Sequence, residues 1–170
     1  RDGDEILDAA LAARGYEIID PVTLYLCETA RLRPVSLPRA QSYCIWEPLH
    51  IMREIWAAGG IHGPRIALMH RVQTPKTALL ARNGDTPAGV GFLALDGEIA
   101  MLHAVEVLPS FRRMGVAKKL MAQAAKWAED HGARYMALMT TRDNTAANRL
   151  YSSLGMRPVG QYHYRIKDTA

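Results

Sequence analysis

The segment that most constrains this chain runs from Gly89 to Thr140. Two apolar runs, Gly89 to Leu95 and Ile99 to Val107, are joined at Asp96-Gly97, a strong two-residue hairpin signal. Pro109 stops the second run. The longest helical pattern follows, Gly115 to Asp130, with Val116, Leu120, Ala124 and Trp127 on one stripe. His131-Gly132 ends it, and Tyr135 to Thr140 reads as a strand. Strands adjacent by hairpin, followed by a β-α-β unit, require a mixed sheet with helices on its faces.

The flanking patterns extend this sheet. Ser42 to Glu47 reads as a strand. Pro48 opens a helix to about Ala58, with Ile51, Met52, Ile55 and Trp56 inward. Gly59 to Gly63 breaks it, Pro64 starts a short helix to about Arg71, and Thr77 to Arg82 is a strand. Asn144 to Leu154 is a helix stopped by Gly155, and Val159 to Lys167 supplies one or two last strands. Upstream, residues 5–14 form a helix. Tyr16 to Ile19 and Val22 to Glu28 are two strands separated by an Asp20-Pro21 turn. Pro34 and Pro38 mark a linker. The helix-Gly-strand run Leu11 to Tyr16 lies over Tyr151 to Met156, either as a common α/β device or as an internal repeat.

Length and charge narrow the function. At 170 residues the chain is one domain and a bit. It opens on Arg1 rather than Met, which we read as an interior residue of a longer chain. No apolar run approaches the ~18 residues that span a bilayer, so no membrane partner is expected. Net charge is +4, suited to an anionic ligand; without interleaved aromatics or a basic face, nucleic acid is not expected. Cys27 and Cys44 lack metal spacing and read as reduced, mostly buried thiols of a cytoplasmic protein. The six histidines form no zinc-like pair, so no metal is expected.

Chemistry concentrates in two stretches. In Val105 to Ala117 a strand ends, and a turn carrying Arg112 and Arg113 leads into a helix. The first helical amides lack intrahelical partners and the helix end is partly positive. Gly115 lets a phosphate approach the backbone. Lys118 and Lys119 add to the field, so the stretch reads as a pyrophosphate seat or as a solvated basic turn. The second stretch is Asn144 to Gly155, with Ala147, Leu150, Tyr151 and Leu154 on one helical face. Tyr151 is either a packed core aromatic or a phenol able to give a proton to a leaving thiolate.

Together, Arg112-x-x-Gly115-x-Ala117 and Asn144-x-x-Ala147-x-x-Leu150-Tyr151-x-x-Leu154-Gly155 resemble the signatures of the GNAT superfamily of acyl-CoA-dependent N-acetyltransferases. The likeness covers about residues 40–170. It implies an α+β, three-layer fold whose mixed, mostly antiparallel central sheet has helices on both faces. A V-shaped splay would separate the unit's fourth and fifth strands. It implies acetyl-CoA as cosubstrate, with Val105 and Val107 pairing the pantetheine arm and Arg112, Arg113, Met114, Gly115, Val116 and Ala117 around the pyrophosphate. A backbone amide near Val107 would polarise the thioester, Asn144 would orient the cofactor or a water near it, and the small Ala147 would also lie on the cofactor side. Tyr151 would be the general acid, with Glu106 and His103 as candidate bases.

The acceptor would be a small-molecule or peptide amine, and family habit suggests a homodimer. His62, Tyr162, His163 and Tyr164 are candidates for the acceptor's surroundings. Residues 1–33 would be the closing helix and strands of a degenerate first GNAT-like unit, 34–40 a linker, and 41–170 the acetyltransferase domain. A non-catalytic acyl-CoA sensor or partner-binding module is the alternative.

Overall fold

A computed structural model describes residues 3–32 and 41–167. Along them run α1 (Glu5–Ala13), β1 (Glu17–Glu28), β2 (Ser42–Ile45), α2 (His50–Ala58), α3 (Gly63–Arg71), β3 (Lys76–Asn83), β4 (Thr86–Asp96) and β5 (Ile99–Val107). Then come α4 (Val116–Asp130), β6 (Tyr135–Thr141), α5 (Thr145–Ser153) and β7 (Arg157–Ile166). Short 3₁₀ turns cover Thr29–Leu32 and Pro109–Phe111. The class is the expected α+β one, with mostly antiparallel strands. The 34–40 linker falls outside the described residues. Among those residues no helix is long and apolar enough to cross a membrane. The chain divides into two compact units, Cys27–Ala137 and the described parts of Arg1–Leu26 with Leu138–Ala170.

In the larger unit the strand order is β2-β3-β4-β5, each neighbour antiparallel. Alternation sends Ala78, Leu80, Val90 and Phe92 to one face, where they meet Met52, Ile55 and Trp56 of α2 and Met69 of α3. Helix α4 buries Val116, Leu120, Met121, Ala124, Ala125 and Ala128. Its approach depends on Gly89, where an added Cβ would stand 2.8 Å from Val116. Each fully buried Leu, Met or Val contributes roughly 1.5–3 kcal/mol, so these two faces hold the unit. Trp56 is the tryptophan of this core; Trp46 and Trp127 are half-buried, Trp127 stacked on His131 with ring centres 3.9 Å apart. Pro48 lies outside the helix it was expected to open, because the chain is still extended at Leu49.

Two details depart from the simple hairpin reading. Asp96 pairs with Ile99, so the loop is Gly97-Glu98, with the glycine first and at φ 55°. In β5 the register shifts: Glu106 lies opposite Val90 and His103 opposite Phe92, leaving Ala104 and Val105 against Gly91. Ala104 has φ 51°, a left-handed value that an alanine holds only under constraint. The constraint is visible, since the Trp56 indole donates to the Ala104 carbonyl at 2.7 Å.

In the smaller unit the order is β6-β1-β7. Residues 17–28 form one strand, not two around a turn. Asp20, at φ 47°, makes a bulge that shifts the pairing with β7 between Ile19 and Val22. Pro21, which has no N–H, sits where the ladder is already interrupted. The closing segment is likewise a single strand, β7. Helix α1 buries none of its residues. It is tied down by charge: Arg165 donates to Asp8 from Nε and Nη2 at 2.7 and 2.9 Å, and His163 Nε2 lies 2.6 Å from Asp8 Oδ1. Hydrogen bonds from Arg165 and then His163 hold the Asp8 carboxyl well below the usual carboxylate range. His163, a sequence candidate for the acceptor pocket, is thus committed to Asp8.

Candidate active site

Helix α4 starts on Gly115, at φ 79°, and among the described residues no side chain caps its amides. Arg113, two residues earlier, is also left-handed, at φ 66°. Left-handed residues in such a turn aim successive N–H groups into a concavity that suits an anion. A Cβ built on Gly115 would meet nothing within 4 Å, so the space before the helix is open. The residues therefore fit a phosphate group at this end of α4, with Val116 buried beneath it and Ala117 keeping the first turn small. Arg112 folds back onto the strand it follows. Its Nε donates to the Val107 carbonyl at 3.2 Å, and its Nη2 lies 3.4 Å from Glu106 Oε1.

The bulge in β5 decides which side chains share a face. Glu106 and His103 are three residues apart and would oppose each other in a regular strand. The extra residue at Ala104 puts both on the α2–α3 face, opposite Val90 and Phe92. Val105 and Val107 go the other way: their Cγ2 atoms lie 3.7 and 3.2 Å from where a Cβ would stand on Gly91 and Gly89, on the side where Val116 packs. The Glu106 carboxyl stands against the end of α2, where a Cβ on Gly59 would come within 2.4 Å of it. His103 is half-buried; burial lowers its pKa and the Arg65 charge lowers it further, which favours the neutral imidazole.

The second motif belongs to the smaller unit. Asn144 caps α5, its Oδ1 accepting from the Ala147 amide at 3.1 Å. Tyr151 is 6% exposed, and burial pushes its phenol up to about 12. Its ring packs against Tyr25 of β1, centroids 5.8 Å apart at 56°. The Tyr25 hydroxyl donates to Asn148 Oδ1 at 2.8 Å. Asn148 Nδ2 in turn donates to the carbonyls of Thr141, Arg142 and Asn144, at 3.0, 3.3 and 2.8 Å.

Three of these participants escaped sequence reasoning: Trp56 reads as core, Asn148 as motif filler and Tyr25 as part of a strand. Gly59 reads as a helix breaker at the start of the segment, about Gly59 to Pro64, that the family resemblance ties to the acceptor, but not as a neighbour of Glu106. Asn148 could have been found, since an amide four residues after a helix cap sits beside that cap. Nothing in the sequence near Tyr25 points to a partner more than a hundred residues away.

The architecture and the two motifs match one family. The acetyltransferase (GNAT) family model covers residues 45–156, and the chain belongs to that family. Acetyltransferases of this family use acetyl-CoA. An aminoglycoside N(6')-acetyltransferase type 1 of Klebsiella aerogenes is 30% identical over 144 residues, 76% of this chain and 91% of that enzyme. One of the same name from Salmonella typhimurium is 40% identical over 57 residues, 34% of this chain and only 39% of that protein. Among solved structures, a tandem GNAT protein from the clavulanic acid biosynthesis pathway superposes with a TM-score of 0.73 at 14% identity. That match covers 97% of this chain and 59% of the tandem protein, so the likeness is one of fold.

Proposed function

We propose that the chain is an N-acetyltransferase that moves the acetyl group of acetyl-CoA to a primary amine of a small molecule, by direct attack in a ternary complex. The observation that carries this reading is the start of α4, where Gly115 offers no capping side chain and the left-handed Arg113 and Gly115 follow Arg112. Acetyl-CoA, when bound, supplies a thioester carbonyl open to attack by an amine. The amides of Arg113, Met114, Gly115, Val116 and Ala117 hold the pyrophosphate, and the β5 backbone at Val105 and Val107 lies along the pantetheine. An amide near Val107 donates to the thioester oxygen, as oxyanion holes do.

The attacking amine gives up a proton to Glu106 or, directly or through water, to the neutral imidazole of His103. As the N–C bond forms and the C–S bond breaks, Tyr151 gives its proton to sulfur. Burial raises the Tyr151 phenol to about 12, which keeps its proton on oxygen at neutral pH and makes it a weaker acid than a free phenol, so it gives the proton only as the thiolate leaves. A small-molecule acceptor follows from the aminoglycoside acetyltransferase relatives.

Thiol release from acetyl-CoA, measured with a panel of amines that includes aminoglycosides, tests the reading. Turnover with at least one amine is expected. Acetyl-CoA at 100 times its Kd would stabilise the fold by about 2.7 kcal/mol. That stabilisation without thiol release for any amine would favour the non-catalytic sensor.

A further inference from the structure

The contact between Tyr25 and the Tyr151 region has no part in the chemistry just described. Tyr25 is 7% exposed on β1, and its ring packs directly against the ring of Tyr151. Its hydroxyl donates to Asn148, one helical turn before Tyr151. Asn148 also spans three carbonyls, at the end of β6 and at the helix cap. One tyrosine therefore fixes the first turn of α5 through its hydroxyl and the ring of Tyr151 through its own ring. A buried phenol–amide hydrogen bond is directional, whereas packing alone would be served as well by Phe or Leu.

We propose that Tyr25 is a positioning residue for Tyr151: β1, far away in sequence, sets the direction in which the α5 phenol presents its proton. The proposal rests on the acid role given to Tyr151 above. Its ring contact goes to Tyr151 and its hydroxyl bond to Asn148, so its influence runs through them. An amide oxygen left without its donor would loosen α5.

The test is a double-mutant cycle in the full chain, using the amine that gives the fastest thiol release. Tyr25→Leu is expected to lower kcat about thirtyfold, inside the ~10²-fold that a 1 Å misplacement costs, with KM for acetyl-CoA within about twofold. Tyr25→Phe, which keeps the ring, is expected to cost about threefold in kcat, the scale of one lost hydrogen bond. In a Tyr151→Phe background, Tyr25→Leu should cost less than about twofold, because the group it positions is gone. Equal costs in both backgrounds would overturn the positioning role while leaving the acid role of Tyr151 intact. An unchanged kcat in Tyr151→Phe alone would remove the acid role, and the proposal with it.

A second measurement needs no activity and covers a Tyr25→Leu chain that fails to fold. In protein carrying ¹³Cζ-tyrosine, the Tyr151 resonance is identified by its loss in Tyr151→Phe. It should move in Tyr25→Phe, and its titration midpoint should fall below that of the unaltered chain as water reaches α5. A resonance and midpoint identical to those of the unaltered chain would overturn the proposal.

Discussion

Helix α4 begins on a left-handed glycine with, among the described residues, no side chain over its amides, while α5 begins on Asn144, whose Oδ1 already holds the Ala147 amide. Both starts follow a strand and both carry a family motif, yet one is left open and the other is closed by its own sequence. Glycine in place of a capping side chain costs only a few tenths of a kcal/mol, so α4 can start open on Gly115 at little cost to the fold. The α5 start needs nothing from a ligand. It is fixed by Asn144 and by Asn148 with Tyr25, and one turn later it presents a buried phenol. On the proposed function the difference separates two duties: the α4 start would hold an anion, and α5 would hold the Tyr151 proton in place.

The largest expected effect bears on the closed start. Tyr151→Phe should lower kcat by roughly 10²–10³-fold, within the range for a lost general acid, and leave KM for acetyl-CoA within about twofold. A pH profile sharpens this. With the phenol raised to about 12, kcat should show no descending limb from Tyr151 between pH 9 and 10.5, where an exposed phenol near 10 would begin to ionise. At the other end, the lowered His103 places any ascending limb it causes below pH 6.5, and His103→Gln should abolish that limb. A fall in kcat beginning near pH 9.5 that vanishes in Tyr151→Phe would contradict the buried phenol.

Next comes the open start. Gly115→Val puts a β-branched residue at φ 79°, which costs about 1–3 kcal/mol of stability. It also fills the space before the amides, so acetyl-CoA should bind at least tenfold more weakly by calorimetry, about 1.4 kcal/mol. Normal acetyl-CoA affinity in a destabilised Gly115→Val would mean the glycine serves only the turn.

How much of this could be read from residues follows the same divide. The α4 start was legible because strand, proline, arginines, glycine and helix lie within about a dozen consecutive positions. Local rules for helix ends act on such neighbours. The Asn144 cap was legible as a helix start but not as a spent side chain, since sequence does not say which amide an Asn takes. The single strand β1 was missed because Asp20-Pro21 has the chemistry of a turn. Only pairing with β7 converts it to a bulge. Glu106 and His103 share a face for a reason no alternation predicts: the extra residue at Ala104, held by Trp56 from another element. Where the signal was long-range, composition and spacing were silent.

A smaller effect contrasts the two starts again. Asn144→Ala removes the cap of α5 and should cost about 0.5–2 kcal/mol by chemical denaturation. Asn144→Asp, which keeps an acceptor there, should restore most of that. Neither change should move acetyl-CoA affinity by more than about twofold if the side chain is spent on Ala147. A large loss of affinity in Asn144→Ala, with stability unchanged, would turn the closed start into a ligand contact and erase the contrast.

The smallest effect belongs to Arg112. Its position before the open helix suggests a phosphate contact, but its guanidinium already reaches the Val107 carbonyl and the Glu106 carboxylate. Its side chain is 60% exposed, so the Glu106 pair is screened, and such surface pairs contribute about 0–1 kcal/mol. Arg112→Ala should therefore leave stability nearly unchanged and weaken acetyl-CoA by about threefold, most at low ionic strength, where surface charge acts over the longest range. A loss above about tenfold that persists at high salt would mean the guanidinium leaves Glu106 to grip the ligand. In that case the open start is completed by a moving side chain and not by backbone amides alone.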